Sequence, residues 1–489
     1  MSASTTTMAV PVRLPPASTP RDEFRDWRRW ILRPPAATPS CAMGRVLLIS
    51  YEFPPVGGSG VQRPAKLVKY LHRLGWQIDV LTAEHDRFPW HDDVLARDIP
   101  EECRVHRVPG WEPACLARAT TAPARWLETR SILPRGTSNW IEDRIYWRLL
   151  YAVDAAGRDN GRTFWISPAV RAAMRLHHRT PFDAVISTGP PHCFHRVALR
   201  FAQQARVPWI ADLRDPFIHD FDRTPTSRAH DRAMLRLERA VLRHADRVVT
   251  TCPALLREFQ ARHPDLPIER FCTITNGFDR DDLRALIDRP SPSFGGRRVC
   301  TLTYVGACYG RTELSKIVEP MERVLAKHAD WQGRVRLQVA GTLDGQQTQK
   351  WKQQRPEWLE LVGYVDHARA LDLLMQSCCT LLLLPESQHG RRVIPAKVFE
   401  LLALPVHLLA LVPPGSETEK VAVAGGASTI APMDDPAAVA AAVERVVGNY
   451  FSGRLAKYRD WPALDQYDRQ TLTAKYAECL RSARAWKIT

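Results

Sequence analysis

Three glycines, Gly57, Gly58 and Gly60, stand between a pair of prolines and a helix-like run in FPPVGGSGVQRPAKLVKYL. Lacking side chains, they leave backbone amides that a bulky anion such as a phosphate could approach closely. Their spacing fits neither GxGxxG nor GxxxxGK[ST], so a tight turn without a ligand stands beside the anion-binding reading. A second group with chemical potential is His192, Cys193 and His195. Three such residues on one turn diverge and no fourth ligand lies near in sequence, which argues against a zinc site. Either histidine could instead donate to a phosphate or a hydroxyl.

The elements that must hold the glycine loop are legible on both sides of it. RVLLIS, starting at Arg45, is an apolar run without alternation, as expected of a parallel strand covered on both faces. After the loop, Leu67, Val68, Leu71 and Leu74 recur at helical spacing, Gly75 stops the helix, and QIDVLT reads as the next strand. The loop therefore lies at the carboxyl end of a strand, where open α/β sheets place their ligands.

A chain of 489 residues is long enough for two or three domains with sizeable cores. Its 68 Lys+Arg against 53 Asp+Glu give +15, which suits a phosphorylated substrate, an anionic membrane surface or a nucleic acid. The arginines are scattered, with no helix-turn-helix, zinc-finger or RNP-type pattern, so nucleic acid is not expected as a partner. Eleven cysteines without a CxxC pair point to a reducing cytoplasm. No apolar run reaches the roughly 18 residues needed to span a bilayer, and no signal-peptide core precedes the fold. Residues 1–42, rich in Ser, Thr, Pro and Ala, read as a disordered tail outside the fold, despite Trp27 and Trp30.

Beyond the first unit, strand and helix patterns alternate through 43–280, interrupted by an irregular Trp- and Arg-rich insert at about 111–165. That insert reads either as a lid or membrane-headgroup contact, or as a helical excursion packed by its own tryptophans. A Pro-rich linker follows at 281–298, and a second α/β series fills 299–464. A last helical segment, 465–489, is placed to cross back to the first half.

Two Rossmann-like halves and a particular order of motifs carry a resemblance. FPPVGGSGVQRPAKLVKYL, ISTGPPHCFHRVAL, PWIADLRDPF, LERAVLRHADRVVTTC, ITNGFD, LTYVG and IPAKVFELLA follow one another as in glycosyltransferase family 4. The chain resembles that family from about residue 45 to 450. The resemblance implies a GT-B fold, two doubly wound domains facing across a cleft, and transfer of a sugar from a nucleotide diphosphate donor to a hydroxyl acceptor in polysaccharide or glycolipid assembly. It implies retention of configuration, no essential metal and no cofactor beyond the donor. The partners would be a nucleotide sugar and a carbohydrate or lipid-linked acceptor, with peripheral contact to an anionic membrane as a further expectation.

The resemblance also assigns residues. Gly58 and Gly60 would face the donor phosphates, and Gly306, Arg311 and Lys316 would meet the pyrophosphate from the second half. Gly390, Arg391 and Lys397 surround a helix N-terminus at Pro395 that offers free amides. Glu400 would accept both ribose hydroxyls. Arg214, Asp215 and His192 would form the acceptor-side catalytic region. Two departures stand out: Arg392 occupies the place of a second family glutamate, and Ala403-Leu404-Pro405 replaces the usual Gly-containing turn. A nucleotide-sugar epimerase of the same build and a non-catalytic scaffold are the alternatives.

Overall fold

The computed structural model describes residues 20–33, 43–84, 92–110, 121–124, 126–134, 137–138, 141, 164–218, 228–288, 299–308, 310, 312–426, 428–455 and 459–488. The N-terminal segment departs from the expected tail. Residues assigned to a tail form helix α1, Pro20–Ile31, whose Trp27 and Trp30 are 0% and 2% exposed. Phe24, Trp27 and Ile31 fall three and four positions apart and bury one stripe. The composition of the surrounding Ser/Thr/Pro-rich stretch masked that short period.

The first half is a seven-stranded sheet of order β3-β2-β1-β4-β5-β6-β7, every pair parallel. Its strands are β1 (Gly44–Ile49), β2 (Trp76–Ala83), β3 (Arg104–Val108), β4 (Ala184–Gly189), β5 (Trp209–Leu213), β6 (Arg247–Thr250) and β7 (Phe271–Thr273). The unbroken apolar run of β1 is explained by its two covered faces. Leu47 and Ile49 enter one core with helices α3 (Ile166–Arg179), α4 (His195–Ala205), α5 (Arg228–His244) and α6 (Pro253–Arg262). Val46 and Leu48 enter another with α2 (Ser59–Arg73). Of the insert, Trp165 is buried edge-on to Tyr51 and Phe194, whereas Trp126 is 53% exposed. Most of the rest lies outside the described residues.

A short helix, α7 (Arg280–Arg284), leads out of this half. The second half is a parallel six-stranded sheet of order β10-β9-β8-β11-β12-β13. Its strands are β8 (Cys300–Val305), β9 (Val335–Ala340), β10 (Leu359–Gly363), β11 (Cys379–Leu383), β12 (His407–Leu411) and β13 (Ser428–Ala431). The site draws on four of its helices: α8 (Ser315–Lys327), α9 (His367–Gln376), α10 (Gln388–Arg392) and α11 (Lys397–Ala403). Two doubly wound sheets facing across a cleft match the fold class expected from sequence.

Two further elements tie the halves together. Helix α12, Arg469–Ile488, returns to the first half, where Leu472, Tyr476 and Leu480 join the core under α2. Helix α1 spans the junction: Trp27 Nε1 donates to the carbonyl of Ala403 at 2.8 Å, and Trp30 Nε1 to Asp465 Oδ1 at 2.6 Å. Arg28 reaches the Ile287 carbonyl, just past α7, at 2.8 Å.

Candidate active site at the interdomain cleft

In each sheet the strand order reverses once, between β1 and β4 and between β8 and β11, and the loops at those carboxyl ends make the site. Gly58 precedes α2 at φ +123°, a backbone setting that strains any other residue, and a Cβ there would meet nothing within 4 Å. Gly60 follows, and its carbonyl accepts from Arg214 Nη1.

Arg214 staples three loops. Its guanidinium also donates to the carbonyls of Gly189 at 3.1 Å and Pro190 at 2.8 Å, so the ends of β1, β4 and β5 are held by one side chain. Burial lowers its pKa. Asp215, next along, lines a cleft of about 410 Å³ together with Thr251, Cys252 and, from the second half, His389 and Arg392. Arg392 sends Nη1 to Glu258 Oε2 at 2.7 Å, and its carbonyl accepts from Cys252 Sγ at 2.6 Å. Arg392 therefore closes the cleft against the first half.

The two histidines are anchored in the first half. His192 is stacked on Phe217 with ring centroids 4.1 Å apart and has Nε2 3.2 Å from the Pro216 carbonyl. His195 is buried, its Nδ1 2.7 Å from Ser187 Oγ, which itself accepts from Trp209 Nε1 at 2.8 Å. Burial, then the neighbouring His192, pushes His195 down to about 3, so it stays neutral.

A buried ion pair missed by the sequence reading lies beneath the staple. Arg63 meets Asp212 through Nε at 3.0 Å and Nη2 at 2.9 Å, and also donates to the carbonyls of Ile274 and Thr275. Tyr476 of α12 donates to Asp212 Oδ1 at 2.7 Å and Thr188 to Oδ2 at 2.8 Å. Burial opposes ionisation of Asp212, but Arg63 outweighs it and the carboxyl ends below its ordinary value.

In the second half the assigned residues divide. Gly306, at φ +140°, ends β8, and a Cβ on it would lie 2.9 Å from Lys397 Nζ. Lys397 donates to the Tyr304 hydroxyl at 2.9 Å and the Val305 carbonyl at 3.4 Å. No carboxylate pairs with it among the described residues, and burial lowers it to about 8. One turn further along α11, Glu400 places Oε1 3.0 Å from His367 Nε2.

Other assigned cations already have partners. Lys316 pairs with Asp434, whose second oxygen accepts from the Glu386 amide at 2.7 Å. Arg391 grips Glu386 at 2.5 and 3.1 Å and donates to the Pro414 carbonyl at 2.9 Å. Gly390 is required by its own turn, since a Cβ would sit 2.4 Å from the Pro385 carbonyl. Arg311 lies outside the described residues.

Among the described residues one cluster of acids is spaced for a cation: Asp98, before β3, with Asp279 and Asp282 at the start of α7. Lys66 Nζ sits among these carboxylates at 2.5, 2.7 and 2.6 Å. An ammonium thus supplies the countercharge there. Neither this cluster nor His367 was found from sequence, because the partners come together only through the fold.

Residues 57–277 match a family model described as a glycosyl transferase 4-like domain. Over that stretch the chain is similar to a glycosyl transferase 4-like domain. The stretch holds the glycine loop, both histidines and the Arg214 staple, and the match supports sugar transfer in general terms. Solved structures extend the likeness to the whole fold. An α,α-trehalose-phosphate synthase (UDP-forming) from Burkholderia vietnamiensis is 15% identical with a TM-score of 0.58, covering 91% of this chain and 100% of that one. A sucrose-phosphate synthase from Thermosynechococcus elongatus is also 15% identical, with a TM-score of 0.57 and the same coverage of 91% and 100%. A putative UDP-N-acetylglucosamine 2-epimerase from Listeria monocytogenes is 12% identical at a TM-score of 0.51, covering 90% and 96%. No curated protein matches the sequence.

Proposed function

We propose that this glycosyltransferase-like chain moves a sugar from a nucleoside diphosphate donor to a hydroxyl acceptor across the cleft, with retention of configuration. The observation that carries the reading is α11. It presents Lys397, a cation with no carboxylate partner among the described residues, beside Gly306, where the missing Cβ makes room for its ammonium, and Glu400 one turn on. Lys397 would meet the diphosphate, and Glu400 the ribose hydroxyls. In the transfer, the bond from the sugar's anomeric carbon to the diphosphate oxygen breaks as one to the acceptor oxygen forms. The acceptor proton passes to the departing diphosphate on the same face. Lys397 stabilises the charge that grows there, and Arg311 is assigned the same role. Lys316 would join them only by leaving Asp434. Asp215, with Arg214 fixing its loop, is the acceptor-side group.

The UDP-forming neighbour makes UDP the first donor base to try. Thermal unfolding with saturating UDP, GDP and their sugar conjugates is the test. Ligand at about 100 times its dissociation constant should stabilise the fold by roughly 2.7 kcal/mol. The shift should vanish in Glu400→Ala. A nucleotide shift that survives this substitution would remove Glu400 from the site. The epimerase neighbour shares the fold, and conversion of a donor without any acceptor would favour that activity instead.

The acceptor is read as a carbohydrate or a lipid-linked glycan, with the enzyme peripheral to an anionic membrane. Support comes from exposed arginines on the adjacent helices α3, α4 and α5, among them Arg171, Arg175, Arg200, Arg232, Arg236 and Arg239. No helix among the described residues is long and apolar enough to cross a membrane. Cosedimentation with anionic vesicles should be strong at low salt and fall as salt screens the contact. Equal recovery with neutral vesicles would count against this placement.

A further inference from the structure

The contact between Glu400 and His367 carries more than a surface ion pair would. Both side chains are largely enclosed, at 17% and 19% exposure. His367 is the first residue of α9, whose N-cap is Asp366, so its ring position is set by a helix start. Nε2 meets Glu400 Oε1 at 3.0 Å, while Nδ1 faces Asp282 Oδ2 at 3.9 Å. Asp282 belongs to α7, at the junction between the halves, and is bonded at 2.6 Å to Lys66 of α2. Among the described residues no donor reaches Glu400 Oε2.

We propose that His367 is a positioning residue for the donor ribose: it holds Oε1 of Glu400, leaves Oε2 to the two hydroxyls, and ties that carboxylate to the interdomain junction. The inference rests on the donor-site reading of Glu400. The charged groups facing the imidazole are Glu400 from α11, Asp282 from α7 and Lys66 from α2. Burial and Lys66 disfavour its proton, but the two carboxylates outweigh them and hold His367 up at about 9. Glu400 is correspondingly lowered, against the cost of its own burial, chiefly by His367. The sign follows. Below about pH 9 the imidazolium donates from Nε2 to Glu400, its charge faces Asp282 as well, and the carboxylate stays in place. Above it the ring keeps one proton, on Nε2 toward Glu400, but loses its charge, so the bond that holds Oε1 weakens and nucleotide affinity falls.

The test is calorimetric binding of UDP, with GDP in parallel, to the full chain and to His367→Ala, His367→Gln and Glu400→Ala. His367→Ala should raise the dissociation constant about tenfold at neutral pH, the scale of one charge-assisted hydrogen bond. His367→Gln keeps an N–H for Oε1 and should recover much of the loss. Because glutamine does not titrate, the ratio of the His367→Gln constant to that of the native chain should shrink as pH passes about 9. Taking that ratio cancels any other titrating group in the site. A histidine pKa of about 9 in the native chain, falling in Glu400→Gln, would add independent support by NMR. Unchanged affinity in His367→Ala, or a pH-independent ratio, overturns the inference. If Glu400→Ala binds as the native chain does, the donor-site reading fails and takes this one with it. If Glu400→Ala loses binding while His367→Ala does not, the inference alone fails.

Discussion

Lys397 should make nucleotide binding consume a proton. Its ammonium is buried against the Tyr304 hydroxyl and the Val305 carbonyl, which solvate it only in part, and burial leaves it titrating at about 8 rather than at the ordinary lysine value of 10.5. A diphosphate beside Gly306 favours the charged form and should return the pKa to the ordinary range or above. Below about 8 the lysine is already charged and affinity is flat. Above it, binding must first recruit a proton, so affinity falls as pH rises. With a free-state pKa of about 8 and a bound-state value above 10, the apparent Kd should rise about tenfold from pH 7 to pH 9. At pH 8 about half a proton should be taken up per nucleotide bound. Calorimetry in two buffers of different ionisation enthalpy measures that uptake directly. Lys397→Arg should abolish the uptake and flatten the profile, and Lys397→Met should bind weakly at every pH. His367, at about 9, is largely protonated at pH 8, so His367→Gln should leave the uptake at that pH almost unchanged. Proton-neutral binding of UDP by the native chain at pH 8 would refute the placement of Lys397 at the diphosphate.

Two predictions concern what holds the site rather than what fills it. Arg63→Met or Asp212→Leu alone should cost about 3–5 kcal/mol, because each strands a buried charge, whereas the double replacement should cost far less than the sum. Denaturant midpoints of the cycle decide it, and additive losses would mean that the two groups do not act as a pair. Trp27→Ala should lower stability by about 3–5 kcal/mol, since it empties a fully buried site and strips the Ala403 carbonyl of its donor. An unchanged melting temperature would show that α1 does not brace the junction.

What could be read from the chain and what could not divide along a physical line. The parallel strands were legible because each is apolar on both faces, as Val46 and Leu47 show by entering opposite cores. The glycines at Gly58 and Gly306 were legible because a positive φ at a strand end leaves few other residues admissible. Charges were legible only as charges. Lys316 and Arg391 looked as available for a pyrophosphate as Lys397 does, yet the fold gives them Asp434 and Glu386. Asp434 stands on the loop after β13 and reaches Lys316 only through the order of the sheet, while Glu386, five positions before Arg391, turns back on it through a loop whose shape the sequence does not print. His367 carried no signal at all, because its meaning lies in Glu400, 33 positions away, and in Asp282 on the far side of the linker. The same reasoning separates α1 from its setting. Its tryptophans are bonded to residues 376 and 435 positions distant, so composition along the chain had nothing to register. A candidate site is therefore narrowed less by finding cations near a glycine than by subtracting those whose charge is already spent. In this cleft that subtraction is what leaves Lys397 beside Gly306 and the free oxygen of Glu400 as the pair on which donor binding should turn.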